Sequence, residues 1–297
     1  MIFYRLQVIL STKLTLTQVQ ALSTYQLLDS GFFRKLEQIG SYKIIRPCPQ
    51  AFWEPALPKK DWNDAIDEFV RSTNGKGQWQ TSALPDRWQI EYGDSKLHIK
   101  PTGFGHIGLF AEQKNNWEWL RKQCQKTPGL KTINLFAYSG GSSIAMRQGG
   151  ANVTHLDASK PIVEWAKENA ALNGLDGIRW IVDDVSKYLA REVRRGNKYD
   201  GFVLDPPSFG RGPKNELWKI EEQILELLRS IKELLSDKPK FILFSCHSPH
   251  FTPKVLENIF HSIWPGKLEI ESFEMLIEEK HSHKVVPSGV CARVSFK

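Results

Sequence analysis

A short apolar run in the sequence is followed by a segment whose residues could take part in chemistry. These residues are Asp205, Pro206, Pro207 and Phe209. The two prolines stiffen this segment and remove two N–H donors, so a carboxylate and bare carbonyls remain to face a neighbouring molecule. Such acceptors suit the amino group and ring N–H of a nucleobase that has left its stack, and the phenylalanine ring can stack on that base. The segment therefore predicts a base-binding loop in which both prolines and Phe209 contact the substrate, with a plain structural turn as the alternative.

A thiol follows the next apolar run along the chain. Cys246 stands after residues 241–244 and is followed by His247. A cysteine in such a position is more often an inert core residue than a reactive one. A thiolate is nevertheless a strong nucleophile, and a charged His247 beside it would lower the pKa of the cysteine. Cys246 is therefore a candidate catalytic nucleophile.

A glycine pair and a later carboxylate have the spacing of a nucleoside-binding site. Gly140 and Gly141 follow the apolar run 133–136, and Asp157 stands 17 residues beyond Gly140. Glycine lets the backbone come close to a ligand, and a carboxylate at the end of the second strand suits two ribose hydroxyls. The alternatives are a helix-packing turn for the glycines and a helix cap for Asp157.

Two further observations bear on the cofactor. Asp184 follows a third apolar run, where its carboxylate can accept a hydrogen bond from an adenine amino group, with a solvated acidic loop as the alternative. NAD is the rival cofactor, but the run from Gly140 to Ala145 lacks the G-x-G-x-x-G spacing of the dinucleotide fingerprint. The pattern therefore favours a nucleoside cofactor that is not a dinucleotide.

These residues stand at the ends of strands in a repeated strand–helix pattern. From Thr132 onward, short apolar runs alternate with amphipathic helices, of which residues 220–235 form the longest, and two strands close the chain. Units of this kind fold into a parallel sheet with helices on both faces, and ligands bind beyond the carboxyl ends of the strands. The prediction for residues 111–297 is an α/β, Rossmann-like, doubly wound domain with a mostly parallel seven-stranded sheet.

The amino-terminal part of the chain has a different pattern. Residues 88–92 and 96–100 alternate like strands around Gly93 and Asp94, which predicts a β-hairpin. Residues 25–110 are therefore predicted to form a small β-rich domain that precedes the larger one. Residues 1–24 are interpreted as an extension of uncertain order.

The composition limits the possible classes of protein. The 297 residues are 41% hydrophobic and 25% charged, and the net charge of +7 permits a polyanionic partner without requiring one. The four cysteines form no paired spacing, so a reducing, cytoplasmic environment is expected. No run approaches the ~18 apolar residues of a membrane span, and the histidines match no zinc spacing, so neither a membrane nor a metal is expected. Arg211 and Lys214, after the base-binding loop, are candidate phosphate contacts.

Taken together, these segments resemble the class I S-adenosylmethionine methyltransferases. The resemblance, which covers most of the chain from about Tyr25, is carried by residues 134–141, Asp157, Asp184, residues 205–209, residues 104–113, Asn116 and Trp117. Within that class, the chain resembles more closely the branch that includes the large-subunit ribosomal RNA cytosine-C5 methyltransferases. The resemblance implies an enzyme that uses S-adenosylmethionine and methylates RNA, in particular ribosomal RNA.

The resemblance also implies roles for individual residues. In the cytosine enzymes, a cysteine after the fifth strand is the nucleophile, and Cys246 stands at that position, although His247 replaces the serine of the family. Asp205 is the second implied catalytic residue, which would hydrogen-bond the ring nitrogen of the base. The S-adenosylmethionine site is implied at Gln113, Phe136, Tyr138, Ser139, Gly140, Asp157, Asp184 and Asp205.

Two enzymatic chemistries and two rivals remain open. In the favoured chemistry, the Cys246 thiolate adds to carbon 6 of cytosine and makes carbon 5 nucleophilic. In the second, Asp205 and Pro206 bind an amino group, of the adenine N6 type, and no covalent bond to the protein forms. Enzymes of the second type usually place an aromatic residue directly after the second proline, whereas Ser208 intervenes here. The rivals are a cofactor-binding module without catalysis and an NAD-dependent oxidoreductase.

Overall fold

The computed structural model describes residues 24–72, 77–212, 215–266 and 268–296. The chain divides into two units. The first contains the described residues up to Gly108 together with Ile277–Val286, and the second contains Leu109–Leu276 and the described residues from Pro287 onward. Nearly all of the predicted extension, residues 1–24, and the predicted phosphate contact Lys214 lie outside the described residues.

The first unit is built on a five-stranded sheet with the strands in chain order. Neighbouring strands are antiparallel except for the third and fourth, which are parallel. The predicted hairpin around Gly93 and Asp94 is confirmed as a separate two-stranded sheet. The elements are β1 (Tyr25–Gly31), β2 (Arg34–Ile39), β3 (Tyr42–Pro47), α1 (Lys59–Asn63), β4 (Asp67–Arg71), β5 (Gly77–Trp79), β6 (Trp88–Tyr92) and β7 (Ser95–Ile99).

Alternation of apolar and polar residues explains this sheet, because successive side chains of a strand point to opposite faces. Leu36 on β2 and Ile45 on β3 are buried together with Leu28 and Trp62 in one apolar cluster. The segment Ile277–Val286 joins the same unit, where Glu279 forms a parallel bridge with the first strand. The sequence pattern carries no sign of this return of the chain.

The second unit is built on the predicted seven-stranded sheet. Its strands are β8 (Lys131–Leu135), β9 (Asn152–Asp157), β10 (Arg179–Val182), β11 (Gly201–Leu204), β14 (Phe241–Cys246), β15 (Glu269–Glu278) and β16 (Val285–Ser295). Their order is β10-β9-β8-β11-β14-β16-β15, with the first five parallel and β16 antiparallel to β14. The α/β, Rossmann-like fold class is therefore confirmed.

Six helices among the described residues complete this unit: α2 (Lys114–Lys126), α3 (Gly141–Gln148), α4 (Lys160–Leu172), α5 (Val185–Arg194), α6 (Ile220–Leu234) and α7 (Pro253–Ile263). The apolar stripe of α6 is buried against the central strands, as its spacing predicts. A small hairpin, β12 (Phe209–Arg211) and β13 (Leu217–Lys219), follows the predicted base-binding loop and is not indicated by the sequence pattern. Within the described residues, no helix is long and apolar enough to cross a bilayer.

The register of the central strands brings the predicted site residues to one edge of the sheet. Leu204 at the end of β11 pairs with Leu135 on one side and Phe244 on the other. The residues that follow these three strands must therefore emerge side by side, as parallel sheets require. Asp205 and the end of β14 lie at this edge for that reason.

Candidate functional site

Asp205 is held in place by neighbours from two other segments of the second unit. Its Oδ2 accepts a hydrogen bond from Nε2 of Gln113 at 3.3 Å. The Nε2 atom of His247 lies 3.5 Å from Oδ1. Oδ1 is buried and has no hydrogen-bond partner among the described residues. Oδ1 is therefore held by the charge of His247 without a well-formed hydrogen bond, and it keeps acceptor capacity for a donor.

Gln113, at the end of the 3-10 helix Ala111–Gln113, connects the ends of two central strands. Its side-chain Nε2 also donates to Oγ of Ser245 at 3.0 Å, while its Oε1 accepts from Asn116 at 2.8 Å. The side chain is buried. Gln113 therefore lies beside Asp205 as implied, and its amide fixes the positions of Asp205 and Ser245.

His247 is an imidazole between two carboxylates. Its Nε2 lies 3.5 Å from Oδ1 of Asp205 and 3.9 Å from Oε1 of Glu112, and its ring lies 5.7 Å from that of Phe110. Burial lowers the pKa of His247, but the attraction of Asp205 and then of Glu112 outweighs it and raises the pKa to about 9. His247 is therefore an imidazolium at neutral pH.

The paired state of His247 can be measured directly. In Asp205→Asn, the largest favourable charge is removed while burial persists, so we expect the pKa of His247 to fall from about 9 towards or below its ordinary 6.5. The measurement is an NMR titration of the imidazole resonances. Asp200→Asn, at the other end of β11, should leave the titration unchanged. A wild-type His247 that titrates below 6.5 would contradict the paired geometry.

Cys246 lies at the end of β14 with its side chain fully enclosed. The residue is 0% exposed and belongs to the main apolar core. Burial raises the pKa of its thiol to about 11, and the backbone N–H of Ser248, which donates to Sγ at 3.4 Å, offsets only part of that effect. The cation expected to activate it, His247, is paired with carboxylates instead. At pH 7, roughly one molecule in ten thousand would carry the thiolate.

The loop after β8 is backbone-strained where the resemblance implies a cofactor. Phe136 and Tyr138 are non-glycine residues with φ of +54° and +48°. Such conformations are rare for bulky side chains and occur preferentially at ligand sites. The backbone N–H of Tyr138 donates to Oδ2 of Asp157 at 3.0 Å, and that of Ser159 donates to Oδ1 at 2.9 Å. Burial raises the pKa of Asp157 despite these donors.

The glycine pair has packing reasons as well. Gly140 has φ of +93°, and a Cβ there would lie 3.1 Å from Cβ of Ala166. A Cβ on Gly141 would lie 2.3 Å from the Trp117 ring, which no side chain tolerates. The carbonyl of Ser139, just before the pair, accepts a hydrogen bond from Asn169 at 2.9 Å. The two glycines are therefore required for close packing of the helix, as the alternative interpretation of the sequence proposed. This packing also keeps the turn rigid.

Asp184 caps a helix. Its Oδ1 accepts a hydrogen bond from the backbone N–H of Lys187 at 2.9 Å, at the start of α5. The neighbouring Asp183 pairs with Arg191. Such a capping bond satisfies a helix N–H that would otherwise lack a partner. The adenine contact that the resemblance implies would therefore be made by Oδ2 of Asp184.

The predicted base-binding loop is partly exposed. Pro206 is buried, whereas Pro207, Phe209 and Arg211 are exposed. The prediction that the proline carbonyls are bare is wrong for Pro207, because its carbonyl accepts a hydrogen bond from Nε1 of Trp218 at 2.7 Å. Arg211 donates to Asn215 at 3.0 Å, with its guanidinium 6.0 Å from the Phe209 ring centre. An aromatic ring and a cation therefore remain at the surface of this loop.

Sequence reasoning missed three residues at this site. Glu112 faces His247, Ser245 receives Gln113, and Phe110 packs against both His247 and Tyr138. Phe110 and Glu112 could have been found from their position in the sequence, because they lie in the stretch 104–113 that carries part of the resemblance. No spacing rule connects them to Asp205, which is about a hundred positions away.

Comparison with known proteins agrees with this arrangement. The family model described as S-adenosylmethionine-dependent methyltransferase matches residues 68–267, which is more than half of the chain. The solved structure of an S-adenosylmethionine-dependent methyltransferase from Agrobacterium tumefaciens is similar with a TM-score of 0.87 and 34% identity, over 92% of this chain and 90% of that one.

Curated relatives carry a more specific name. A ribosomal RNA large subunit methyltransferase K/L from Shewanella frigidimarina is 33% identical over 156 residues, which cover 51% of this chain and 21% of the relative. Its counterpart from Pseudoalteromonas atlantica is 30% identical over 198 residues, covering 65% and 26%. The chain thus spans about a quarter or less of the length of these relatives. By the family model and its class I fold, the chain belongs to the S-adenosylmethionine-dependent methyltransferases.

Proposed function

We propose that this methyltransferase modifies a base of large-subunit ribosomal RNA. The observation that carries the proposal is the buried Oδ1 of Asp205, an acceptor without a hydrogen-bond partner among the described residues, in a segment whose Phe209 ring is exposed. An unstacked base offers both an N–H donor and a flat surface for such a pair. The names of the Shewanella and Pseudoalteromonas relatives, ribosomal RNA large subunit methyltransferases, support ribosomal RNA as the substrate.

The residues at the strand ends fit the cofactor. The carboxylate of Asp157 accepts backbone N–H groups, among them those of Tyr138 and Ser159, and keeps capacity for a ribose hydroxyl. The strained Phe136 and Tyr138 keep the adjoining loop in one conformation, and Gly140 begins a helix whose free N–H groups suit a carboxylate. When bound, S-adenosylmethionine supplies an electrophilic methyl group. Gln113 and Ser139 complete the proposed set, and Asp184 is assigned the adenine amino group.

Asp157 gives the first test of this cofactor site. We expect Asp157→Ala to raise the dissociation constant of S-adenosylmethionine by about 5- to 150-fold, the equivalent of a lost charged hydrogen bond of about 1–3 kcal/mol. Isothermal titration calorimetry measures it, with Asp176→Ala, an exposed carboxylate of the same unit, as control. Tight NAD binding without S-adenosylmethionine binding would contradict the assignment.

The cytosine-C5 chemistry requires a reactive Cys246. Its thiolate must add to carbon 6 of the base, and the thiol must first lose its proton. Cys246 is wholly buried, its pKa is about 11, and the charges of Asp205 and Glu221 oppose ionisation. The chemistry therefore demands a rearrangement that exposes the thiol to the base and to a cation.

The second chemistry needs no such change, and the geometry supports it better. Asp205, which is paired with His247, accepts a hydrogen bond from the amino group of the base and orients the nitrogen lone pair. The same carboxylate provides an acceptor for the proton that the nitrogen must lose. We therefore favour methylation of an exocyclic amine, of the adenine N6 type, with cytosine C5 as the competing chemistry.

Cys246→Ala separates the two chemistries. We expect this variant to keep methyl transfer within about threefold of wild type, because a buried thiol of raised pKa acts as a small core residue. RNA that contains 5-fluorocytosine should form no covalent adduct with the wild-type protein. Abolished turnover in the variant, together with an adduct in the wild type, would instead establish Cys246 as the nucleophile.

The substrate itself is tested by mass spectrometry of nucleosides. Large-subunit RNA lacking its modifications is incubated with the protein and isotopically labelled S-adenosylmethionine, and the labelled nucleoside is identified. We expect the label on one base. We also expect the affinity of the protein for RNA to fall as the salt concentration rises, because Arg211 and its neighbours contact phosphates. A ribosomal substrate also implies a cytoplasmic location. Label found only on protein or on small molecules would exclude the proposal.

A further inference from the structure

The first unit contains a cavity of about 680 Å³ that the methyl-transfer chemistry does not use. This volume lies within the range of roughly 300–1,000 Å³ that is typical of small-molecule sites. The lining combines aromatic rings, both signs of charge and apolar walls. The lining residues include Phe32, Arg34, Lys59, Trp62 and Asp67.

Asp67, which lines this cavity, carries an unsatisfied acceptor. The residue is 3% exposed, and its Oδ1 accepts hydrogen bonds from the backbone N–H groups of Glu68 at 2.8 Å and Thr81 at 3.0 Å. Its Oδ2 is buried and has no hydrogen-bond partner in the part of the chain that the structure describes. A buried carboxylate oxygen without a donor is costly. An N–H or O–H donor on an occupant of the cavity would satisfy Oδ2 once rotation of the side chain brings this oxygen to the cavity surface.

Trp62 gives the cavity a fixed flat wall. The indole N–H donates to Oδ2 of Asp29 at 3.0 Å, and the residue is buried in the apolar cluster of the unit. The guanidinium of Arg34 lies 5.3 Å from the centre of the indole ring and pairs with Glu68 at 3.4 Å. Planar groups of this kind favour a planar occupant, because stacking needs flat surfaces.

Phe32 and Phe33 form a strained turn beside the cavity. They connect β1 and β2 with φ of +48° and +64°, a two-residue turn with positive φ at both positions that normally contains asparagine or glycine. Both side chains are about half exposed, and hydrogen bonds to the carbonyls of Trp53 and Ala51 hold the turn. Strain that the surroundings maintain is typical of ligand-binding segments. Phe32 lines the cavity, so its ring is placed to cover an occupant.

We propose that this cavity binds an unpaired nucleobase with an exocyclic amino group, as a second RNA contact of the protein. The base stacks on Phe32, and its amino group donates to Oδ2 of Asp67. Lys59, which is exposed at the cavity, faces the adjoining phosphate. An apolar peptide segment would leave Asp67 unsatisfied. The inference rests on the proposed RNA substrate, but it concerns a site formed entirely within the first unit.

Mononucleotides test the occupant without any methyl transfer. AMP, CMP and GMP, added separately to the full-length ¹⁵N-labelled protein, should shift the indole N–H resonance of Trp62. Uracil flanks its only ring N–H with two carbonyls that repel the carboxylate, so UMP should bind at least about fivefold more weakly. Ribose 5-phosphate should cause no shift. Equal shifts by all five compounds would overturn the proposal. The absence of a shift with any nucleotide would also overturn it and would leave a bound water as the partner of Asp67.

Phe32→Asn tests the turn, with Phe104→Asn as the matched control. Asparagine adopts positive φ readily, so Phe32→Asn should keep or raise the melting temperature while it removes the stacking ring. We expect the dissociation constant for single-stranded RNA to rise about 5- to 100-fold, as for the loss of one stacked base. Phe104 is 75% exposed in the same unit and does not line the cavity, so its variant should bind normally. Equal losses in both variants would overturn the proposal.

Asp67→Asn is the second variant, because asparagine keeps one acceptor oxygen for the backbone. It should weaken AMP, CMP and GMP binding but not UMP binding, because the amide N–H that replaces Oδ2 complements a uracil carbonyl. A Phe32→Asn variant that loses affinity for intact ribosomal particles, yet keeps it for free RNA, would identify a ribosomal protein as the occupant and overturn the proposal. Failure of ribosomal RNA methylation with intact nucleotide shifts would overturn only the proposed function, whereas methylation without nucleotide shifts would overturn only this inference.

Discussion

Replacement of Asp205 by asparagine is expected to slow methyl transfer by about 100- to 10,000-fold, the usual range for loss of a positioned acid–base group. Asparagine keeps the shape of the side chain and its contact with Gln113. It removes the negative charge that pairs with His247 and the acceptor for the proton of the base. Single-turnover assays with saturating S-adenosylmethionine measure the chemical step without product release.

Asp200→Asn is the matched control for that variant. Asp200 and Asp205 stand immediately before and after the same strand, β11, but Asp200 accepts from the backbone N–H of Lys131 and from Ser236 at the opposite edge of the sheet. Its replacement should leave the single-turnover rate within about threefold of wild type, as for substitutions remote from the chemistry. A rate for Asp205→Asn that equals the control would remove Asp205 from the reaction in either of the two chemistries.

Replacement of Arg46 by methionine is expected to destabilise the first unit by about 3–5 kcal/mol, because it removes the two-pronged partner of a buried carboxylate and leaves Lys35, at 3.1 Å, to balance the charge. Arg46 donates to both oxygens of Glu37, at 2.6 and 2.7 Å, and Tyr25 donates to one of them at 2.9 Å. Glu37 is wholly buried. Urea unfolding measures the loss, with Lys96→Met, which breaks the exposed pair with Glu91, as a control within about 0.5 kcal/mol of wild type.

The same pair predicts a pH dependence. Burial raises the pKa of Glu37, but Arg46 and then Lys35 outweigh it and hold the pKa at about 2 instead of 4.5. A depressed carboxyl pKa contributes stability that is fully present above 4.5 and is lost as the pH falls towards 2. The free energy of unfolding should therefore fall more steeply between these two pH values in wild type than in Arg46→Met. Parallel acid profiles for the two proteins would contradict the role given to Glu37.

Much of the second unit could be predicted from local pattern. Strands that are buried on both faces must be apolar along their length, and the helices between them must be amphipathic, so each element marks its own position in the sequence. The same rule places Asp157, Asp205 and Cys246 at strand ends, and the observed register brings the ends of β8, β11 and β14 together. The hairpin at Gly93 was predictable because its turn chemistry is local.

The environment of each site residue was not local and had to come from the tertiary structure. The sequence shows a cysteine next to a histidine, but burial sets the pKa of that thiol, and two carboxylates from other elements bind the histidine. Gln113 contacts Asp205 and Ser245 across 92 and 132 positions of sequence. Dielectric surroundings and opposing charges depend on which distant segments pack together, and no spacing rule contains that information.

The amino-terminal unit shows the same division. Alternation predicted its β-rich character, because a strand with one buried face repeats every second residue. The return of Ile277–Val286 to this unit, the strained turn at Phe32 and Phe33, and the unsatisfied oxygen of Asp67 depend on partners elsewhere in the chain. The sequence by itself thus determined the element types and the strand-end positions of the site, since both follow from periodicity. Only the tertiary structure decided charge states, burial and unsatisfied acceptors, since these are properties of packed neighbours.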